Sequence, residues 1–282
     1  MTRLRSLFWI GVLPLILSGI PVGEHADNGT AHPWSSPAGT SPDTLHDVTQ
    51  DVFDHTNAER QDAGRAALKR NAGLTELACR HSRDMLVRDF MGHESPDGIG
   101  PKQRAARHHR RLVGETGENV LSREGSAPQS PEALGAELVT RWMESPSHRA
   151  NILRRAFTHM GVCVMQDGDQ MRATQSFARI RGMLSSPLPE QVTAGNEVPV
   201  RVTSVPDSRM NASKYDLWSP EEERRVAGPR ALAGTLHVPD TTGVLRPRFY
   251  FPDSDRYAVH LGPSFTVERA ASSMDGPSSQ RE

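Results

Sequence analysis

Apolar residues recur at helical spacing in the first half of this chain and alternate with polar ones in the second. Val48, Val52 and His55 mark one side of a helix predicted over Asp47–Ala63, which Gly64 ends. Leu74, Leu77, Ala78, Met85 and Leu86 give the apolar face of a second helix, from Leu74 to about Asp89. Residues 91–101 hold three glycines and two prolines and read as loop. Ser130-Pro131 is a helix start signal, a cap followed by proline at the first helical position. Leu134, Leu138 and Trp142 then recur every four residues and predict a core-facing stripe. Ser145-Pro146 repeats the start signal, so a new helix begins at an angle. Two strands, Met160–Met165 and Met171–Phe177, flank the turn Gln166-Asp167-Gly168-Asp169. Helices around hairpin strands predict an α/β class with a layered helix–sheet–helix domain over residues 45–182.

Beyond Arg181 the period changes. Pro187 and Pro189 mark a linker, and Val198, Val200 and Val202 alternate with polar residues or proline. Leu236 and Val238 alternate likewise, as do Tyr257, Val259 and Leu261, then Phe265 and Val267, with Pro- and Gly-containing turns between. Short strands with period-two burial predict a small all-β, immunoglobulin-like sandwich over residues 190–269. Tyr257, opening a strand after a polar turn, has the placement of a tyrosine-corner residue. The polar stretches 24–44 and 270–282 read as disordered.

The N-terminus sets the compartment. Arg3 and Arg5 precede a 14-residue apolar run, Leu7–Ile20, broken by Ser18. That length suits a signal-peptide core and is short for a spanning helix, so residues 1–23 predict export. The cleavage site is poorly marked, which keeps an uncleaved N-terminal anchor as the alternative. The chain is expected outside the cytoplasm, extracellular or periplasmic. A net charge of −1 over 282 residues excludes a global field for nucleic acid. The basic run Lys102, Arg104, Arg107, His108, His109, Arg110, Arg111 lacks interleaved aromatics and reads as a solvated face. Cys79 and Cys163 are the only cysteines. With one on a helix and one on a core strand, they predict a disulfide, against the alternative of two inert buried thiols.

Four segments concentrate unusual chemistry: Met91-Gly92-His93, Gly117-Glu118-Asn119-Val120, the run Trp142–Leu153, and Gly161-Val162-Cys163-Val164. Glu144 and His148 lie close across the Ser145-Pro146 kink. Gly117 and Asn119 flank Glu118 with residues that permit a sharp turn. Two imidazoles and two carboxylates can converge.

These segments, with Asn57-Ala58-Glu59-Arg60, resemble in order and spacing the bacterial branch of the CAP superfamily, the cysteine-rich secretory, antigen 5 and pathogenesis-related (SCP-like) proteins. The resemblance covers about residues 47–180. It implies an α-β-α sandwich whose central cleft is lined by His93, Glu118, Glu144 and His148, all present here. In some members that cleft binds a divalent metal, so zinc on His93 and His148 is the implied cofactor. The family's multiple disulfides are missing, and the C-terminal region lies outside the resemblance.

Each residue also has a plainer reading. The His/Glu tetrad suits a structural network as well as a ligand site. Asn119 and Asn151 read as turn and cap residues, Trp142 as core, and Arg60 as solvated or paired to a carboxylate. Ser95 and Ser147 read as loop and helix-start residues rather than nucleophiles, and no His-Glu-x-x-His helix is present. The expected function is an exported binding or interaction module for a small ligand, lipid, cell-surface or wall component, or divalent metal. The alternative is a metal-assisted, protease-like hydrolase acting outside the cell.

Overall fold

The computed structural model describes residues 42–125, 130–204 and 211–270. The export segment 1–23, the tether up to residue 41 and the tail beyond residue 270 lie outside the described residues. In chain order the first half forms α1 (Pro42–Asp62), β1 (Lys69–Arg70), α2 (Ala72–Val87), α3 (Pro101–His108), β2 (Leu112–Glu124), α4 (Pro131–Glu144), α5 (Pro146–Ile152), β3 (His159–Asp167) and β4 (Gln170–Leu184). Among the described residues the second half forms only strands: β5 (Gln191–Thr193), β6 (Glu197–Pro199), β7 (Val202–Ser204), β8 (Lys214–Ser219), β9 (Arg224–Ala231), β10 (Thr235–His237), β11 (Gly243–Asp253), β12 (Arg256–Leu261) and β13 (Phe265–Glu268).

The helices form where their start signals stand. Asn71 caps α2 by accepting from Leu74 N, and Ser130 caps α4 by accepting from Ala133 N. Leu134, Leu138 and Trp142 are buried, and the Trp142 indole donates to Val120 O at 3.2 Å. The stripe of α1 runs through Val48, Val52, Thr56 and Arg60 rather than toward His55, which is half-buried. Its helix starts at Pro42, inside the stretch expected to be disordered.

β2 pairs with β4, and β4 with β3, all antiparallel. α1 and α4 cover one face of this sheet, and α2 lies on the other. Gly161 lets α2 approach β3, because a Cβ there would meet Thr75 N at 2.0 Å. That approach brings Cys79 and Cys163 to a Cα separation of 4.9 Å, and they form the predicted disulfide.

The C-terminal strands continue this sheet. β7 pairs with the end of β4, and Leu261 of β12 pairs with Gly114 of β2. β11 pairs with β8, β12 and β13, while β6 and β10 form a separate two-stranded sheet. A second core gathers Leu217, Leu236, Phe249 and Phe265 with the predicted Val198, Val200 and Val202. One strand inverts the expected alternation. Tyr257 and Val259 are 44% and 43% exposed, and His260 is the buried residue at 3%. A one-residue change of facing moves every side chain to the other side, and pairing with β11 sets it here. Tyr257 is therefore no corner residue. Tyr215 is the buried tyrosine, its hydroxyl accepting from His237 N at 2.8 Å.

His260 predicts an acid-sensitive seam. Neither ring nitrogen has a hydrogen-bond partner, and Phe251 packs against the ring at 5.5 Å. Burial, followed by Arg179 and Arg181, depresses its pKa from 6.5 to about 4, against a smaller opposing effect of Glu115. Between those values the unfolded chain takes up the proton and the folded chain does not. The stabilisation is complete above about pH 6.5, falls as pH drops, and is gone below about pH 4, a loss of about 3 kcal/mol. Urea unfolding from pH 7 downward should show this slope in the parent protein and not in His260→Leu. Equal slopes would refute it.

Candidate functional site

β2 carries the centre of the site. The sequence suggests a sharp turn at Glu118, but the backbone there is extended and paired from Leu112 to Glu124. Gly117 serves close packing instead: a Cβ would meet Phe157 Cζ at 2.6 Å. Alternation along the strand sends Glu118 and Asn119 to opposite faces.

On the α2 side Glu118 is 8% exposed and fully engaged. Arg104 Nη2 spans both carboxylate oxygens at 2.8 and 3.0 Å, while its Nη1 donates to Ile99 O at 2.7 Å. His93 Nδ1 donates to Oε1 at 2.9 Å, leaving Nε2 on a side chain that is 50% exposed. His81, on α2, is wholly buried with Nε2 3.7 Å from the same oxygen and 2.9 Å from Gly92 O. Burial is the main cause that lowers the His81 pKa and keeps the ring neutral; Glu118 partly opposes it. Its Nδ1 has no partner.

On the other face Asn119 Nδ2 donates to His148 O at 3.1 Å and Gln175 Oε1 at 3.0 Å. Asn151 Nδ2 donates to Asn119 Oδ1 and to Glu118 O. These amides bind α5 to the strand that bears Glu118, a larger task than a local turn or cap. Arg60, 1% exposed, pairs with neither solvent nor carboxylate. It donates to the carbonyls of Ala66, Ile152 and Arg154, clamping the C-terminal end of α5.

His148 is half-buried, and its pKa is lowered by burial and then by the nearby His93. Glu144 ends α4, exposed, and no hydrogen bond or ion pair joins it to His148 among the described residues. Ser95 Oγ accepts from Ile99 N, and Ser147 Oγ lies 3.4 Å from Ser145 Oγ, so both hydroxyls keep local roles.

The basic run is not a uniform solvated face. Arg104 and His109 are buried, with His109 3.1 Å from Asn71 Oδ1. Arg110 donates to the carbonyls of Ala106, Leu188, Pro189 and Ser264, pinning the linker and the β12–β13 turn. Lys102, Arg107 and His108 are exposed as expected. Arg104 and His81 are the site residues that sequence reasoning missed. The signal for Arg104 was one arginine in a helix already opened by a Gly-Pro pair, with nothing local to name its partner.

A catalytic zinc takes three protein ligands plus water. Among the described residues no three His, Cys, Asp or Glu side chains gather to hold a metal. Glu118 is already bound by a guanidinium, the His81 Nε2 is turned to Gly92 O, and Glu144 has no hydrogen bond or ion pair with His148 among the described residues. The residues present do not fit a three-ligand site.

An open groove of about 370 Å³ lies over Glu118, bounded by His93, Lys102, Gln103 and Thr116. No helix among the described residues is long and apolar enough to cross a membrane.

A family model described as the cysteine-rich secretory protein family, CAP, matches residues 53–177. The chain is 31% identical over 129 residues to the uncharacterized protein YkwD of Bacillus subtilis (strain 168), covering 46% of this chain and 47% of that protein. It is 29% identical over 128 residues to the uncharacterized membrane protein YlbC of the same organism, covering 45% and 33%. The match therefore spans less than half the length of either relative. Among solved structures, an extracellular protein containing a SCP domain from Bacillus anthracis str. Ames is 26% identical, with a TM-score of 0.41, covering 51% of this chain and 45% of that one. With the motif residues placed on one layered helix–sheet domain and the family model matched across it, residues 53–177 are a CAP domain of the cysteine-rich secretory protein family.

Proposed function

We propose that this is an exported CAP-domain protein acting as a binding module, with a cleft around His93, Glu118 and His148 that takes a small ligand or cell-surface component. The observation that carries the reading is the open groove over a carboxylate held rigid by Arg104 and His93. Binding sites are largely preformed concavities with a few fixed polar groups. A hydrolase needs an activated nucleophile or metal-bound water, and the Ser95 and Ser147 hydroxyls make their contacts locally, with Ile99 N and Ser145 Oγ. Export draws support from the Cys79–Cys163 disulfide, since such bonds persist in oxidising compartments. The C-terminal strands form, in this proposal, a small immunoglobulin-like sandwich that carries a surface partner, supported by a second hydrophobic core that they build with Val113 and Leu184 of the first domain.

Native mass spectrometry of protein collected from the producing cell's medium tests the reading. The expected result is an adduct that the His93→Ala/His148→Ala double variant lacks. Full-length chain confined to the cytoplasm would end the export proposal, and an adduct kept by the variant would end the cleft proposal. Casein cleavage abolished by the same variant would favour the hydrolase.

A further inference from the structure

The C-terminal strands carry a cationic face away from the CAP cleft. Alternation and register put Lys214, Asp216 and Trp218 of β8 on one face with Arg246, Arg248 and Tyr250 of β11. Tyr257 and Val259 of β12 extend that face past Tyr250, and Arg225 of β9 joins it opposite Trp218. These side chains are exposed or half-buried except Asp216, which is 0% exposed. Asp216 is the acidic residue that these four strands place on the face. Four cations therefore surround one carboxylate, in a chain whose net charge is −1.

Asp216 fixes the array. Its Oδ1 accepts from Arg248 Nε at 2.7 Å. Its Oδ2 accepts from Arg248 Nη2 at 2.6 Å, Arg225 Nε at 2.8 Å and the Tyr250 hydroxyl at 2.6 Å. The Arg248 guanidinium lies 4.3 Å from the centre of the Trp218 ring, and the Lys214 ammonium 4.7 Å from that of Tyr257. One buried carboxylate thus neutralises one charge while positioning two guanidinium groups. Arg248 Nη1, both Nη nitrogens of Arg225 and the Lys214 ammonium have no acceptor among the described residues. Donors already held in place lose little side-chain freedom when a ligand arrives.

Spacing decides the size of that ligand. From Trp218, level with Arg225, to Lys214 is about 14 Å of extended strand. A single small oxyanion does not reach both ends, whereas a chain bearing an acid group on repeating units does. The surroundings decide its kind. A nucleobase needs a ring face to stack on, and Trp218 and Tyr257 each hold a cation over the ring. A bilayer needs a broad apolar surface, and Tyr257 and Val259 supply only a small one at the β12 margin. Between the cations stand tyrosine hydroxyls, ring edges and Val259, which suit the hydroxyls and C–H faces of sugars. We propose that this face of β9, β8, β11 and β12 binds an acidic polysaccharide, whose acid groups take the free donors of Arg225, Arg248 and Lys214. The proposal rests on the reading that the C-terminal strands carry a surface partner, and it names the class of that partner.

Alginate oligomers, a polyuronate, are the probe, with neutral dextran as the comparison, both titrated calorimetrically into the full chain. Alginate should bind, more weakly as salt rises, and dextran should not. Lys214→Gln and Arg225→Gln should each weaken alginate several-fold, and the double variant about tenfold or more. Lys214→Gln should keep the parent melt, because the exposed ammonium touches a half-exposed ring and no buried group. Arg107→Gln/Arg155→Gln removes the same charge from exposed positions of the first domain and should leave binding unchanged. Alginate that fails to bind, that binds the Lys214→Gln/Arg225→Gln variant as well as the parent, or that is weakened equally by the first-domain variant overturns the proposal. Poly-glutamate, single-stranded poly(dT) or phosphatidylglycerol vesicles bound more tightly than alginate, and lost in the Lys214→Gln/Arg225→Gln variant, would overturn the polysaccharide while leaving a partner on this face. If none of the probes binds, the partner reading of the C-terminal strands falls as well.

Discussion

Arg104→Met is expected to destabilise the protein by about 3–5 kcal/mol, the loss typical of stripping one partner from a buried ion pair. Glu118 is 8% exposed, and its other partners cannot replace the guanidinium. His81 is held neutral by burial, and His93 offers one hydrogen bond. Adding Glu118→Gln to Arg104→Met should restore much of the loss, because the stranded charge disappears with its partner. Urea unfolding of the two single variants and the double variant gives the coupling directly. A loss below about 1 kcal/mol, within the range of exposed pairs, would mean that water reaches Glu118 and the pair is ordinary.

Removal of the Cys79–Cys163 bond is the second large effect. The cysteines are 84 residues apart in sequence, and closing such a loop restricts the unfolded chain by about 4–5 kcal/mol in the chain-entropy treatment. Measured bridges more often give about 2–4 kcal/mol, so a loss of about 3–4 kcal/mol is expected for Cys79→Ser/Cys163→Ser. For a chain of this size that lowers the melting temperature by about 10 °C. The bond also ties α2, which carries His81, to β3, so loosening should reach the Glu118 cluster. The check is a thermal melt of the parent protein with and without reductant beside the double variant. Coincident melts would show that packing around Gly161 alone holds α2 in place.

Local signals in the chain mark α1, α2, α4 and α5 and their order, whereas α3 (Pro101–His108), which carries Arg104, went unpredicted. Ser130-Pro131 and Ser145-Pro146 act on their own neighbouring backbone, and Leu134, Leu138 and Trp142 are buried wherever that helix meets a sheet. The sequence also determined the β3–β4 hairpin and, through the order of its motifs, the CAP domain. β2 escaped detection because Glu118 and Asn119 are both buried, so the strand shows no apolar–polar alternation where the site sits. The inward turn of His260 and the outward turn of Tyr257 and Val259 follow from pairing with β11, and alternation alone does not say which face is the core. Arg104 is the plainest case. Fourteen residues separate it from Glu118, and only the packing of α3 against β2 makes a solvated-looking arginine the counter-charge of the site. An apolar side chain carries its preference for burial with it, whereas a charged one is buried only where the fold supplies a partner, and that partner is a long-range fact of tertiary structure.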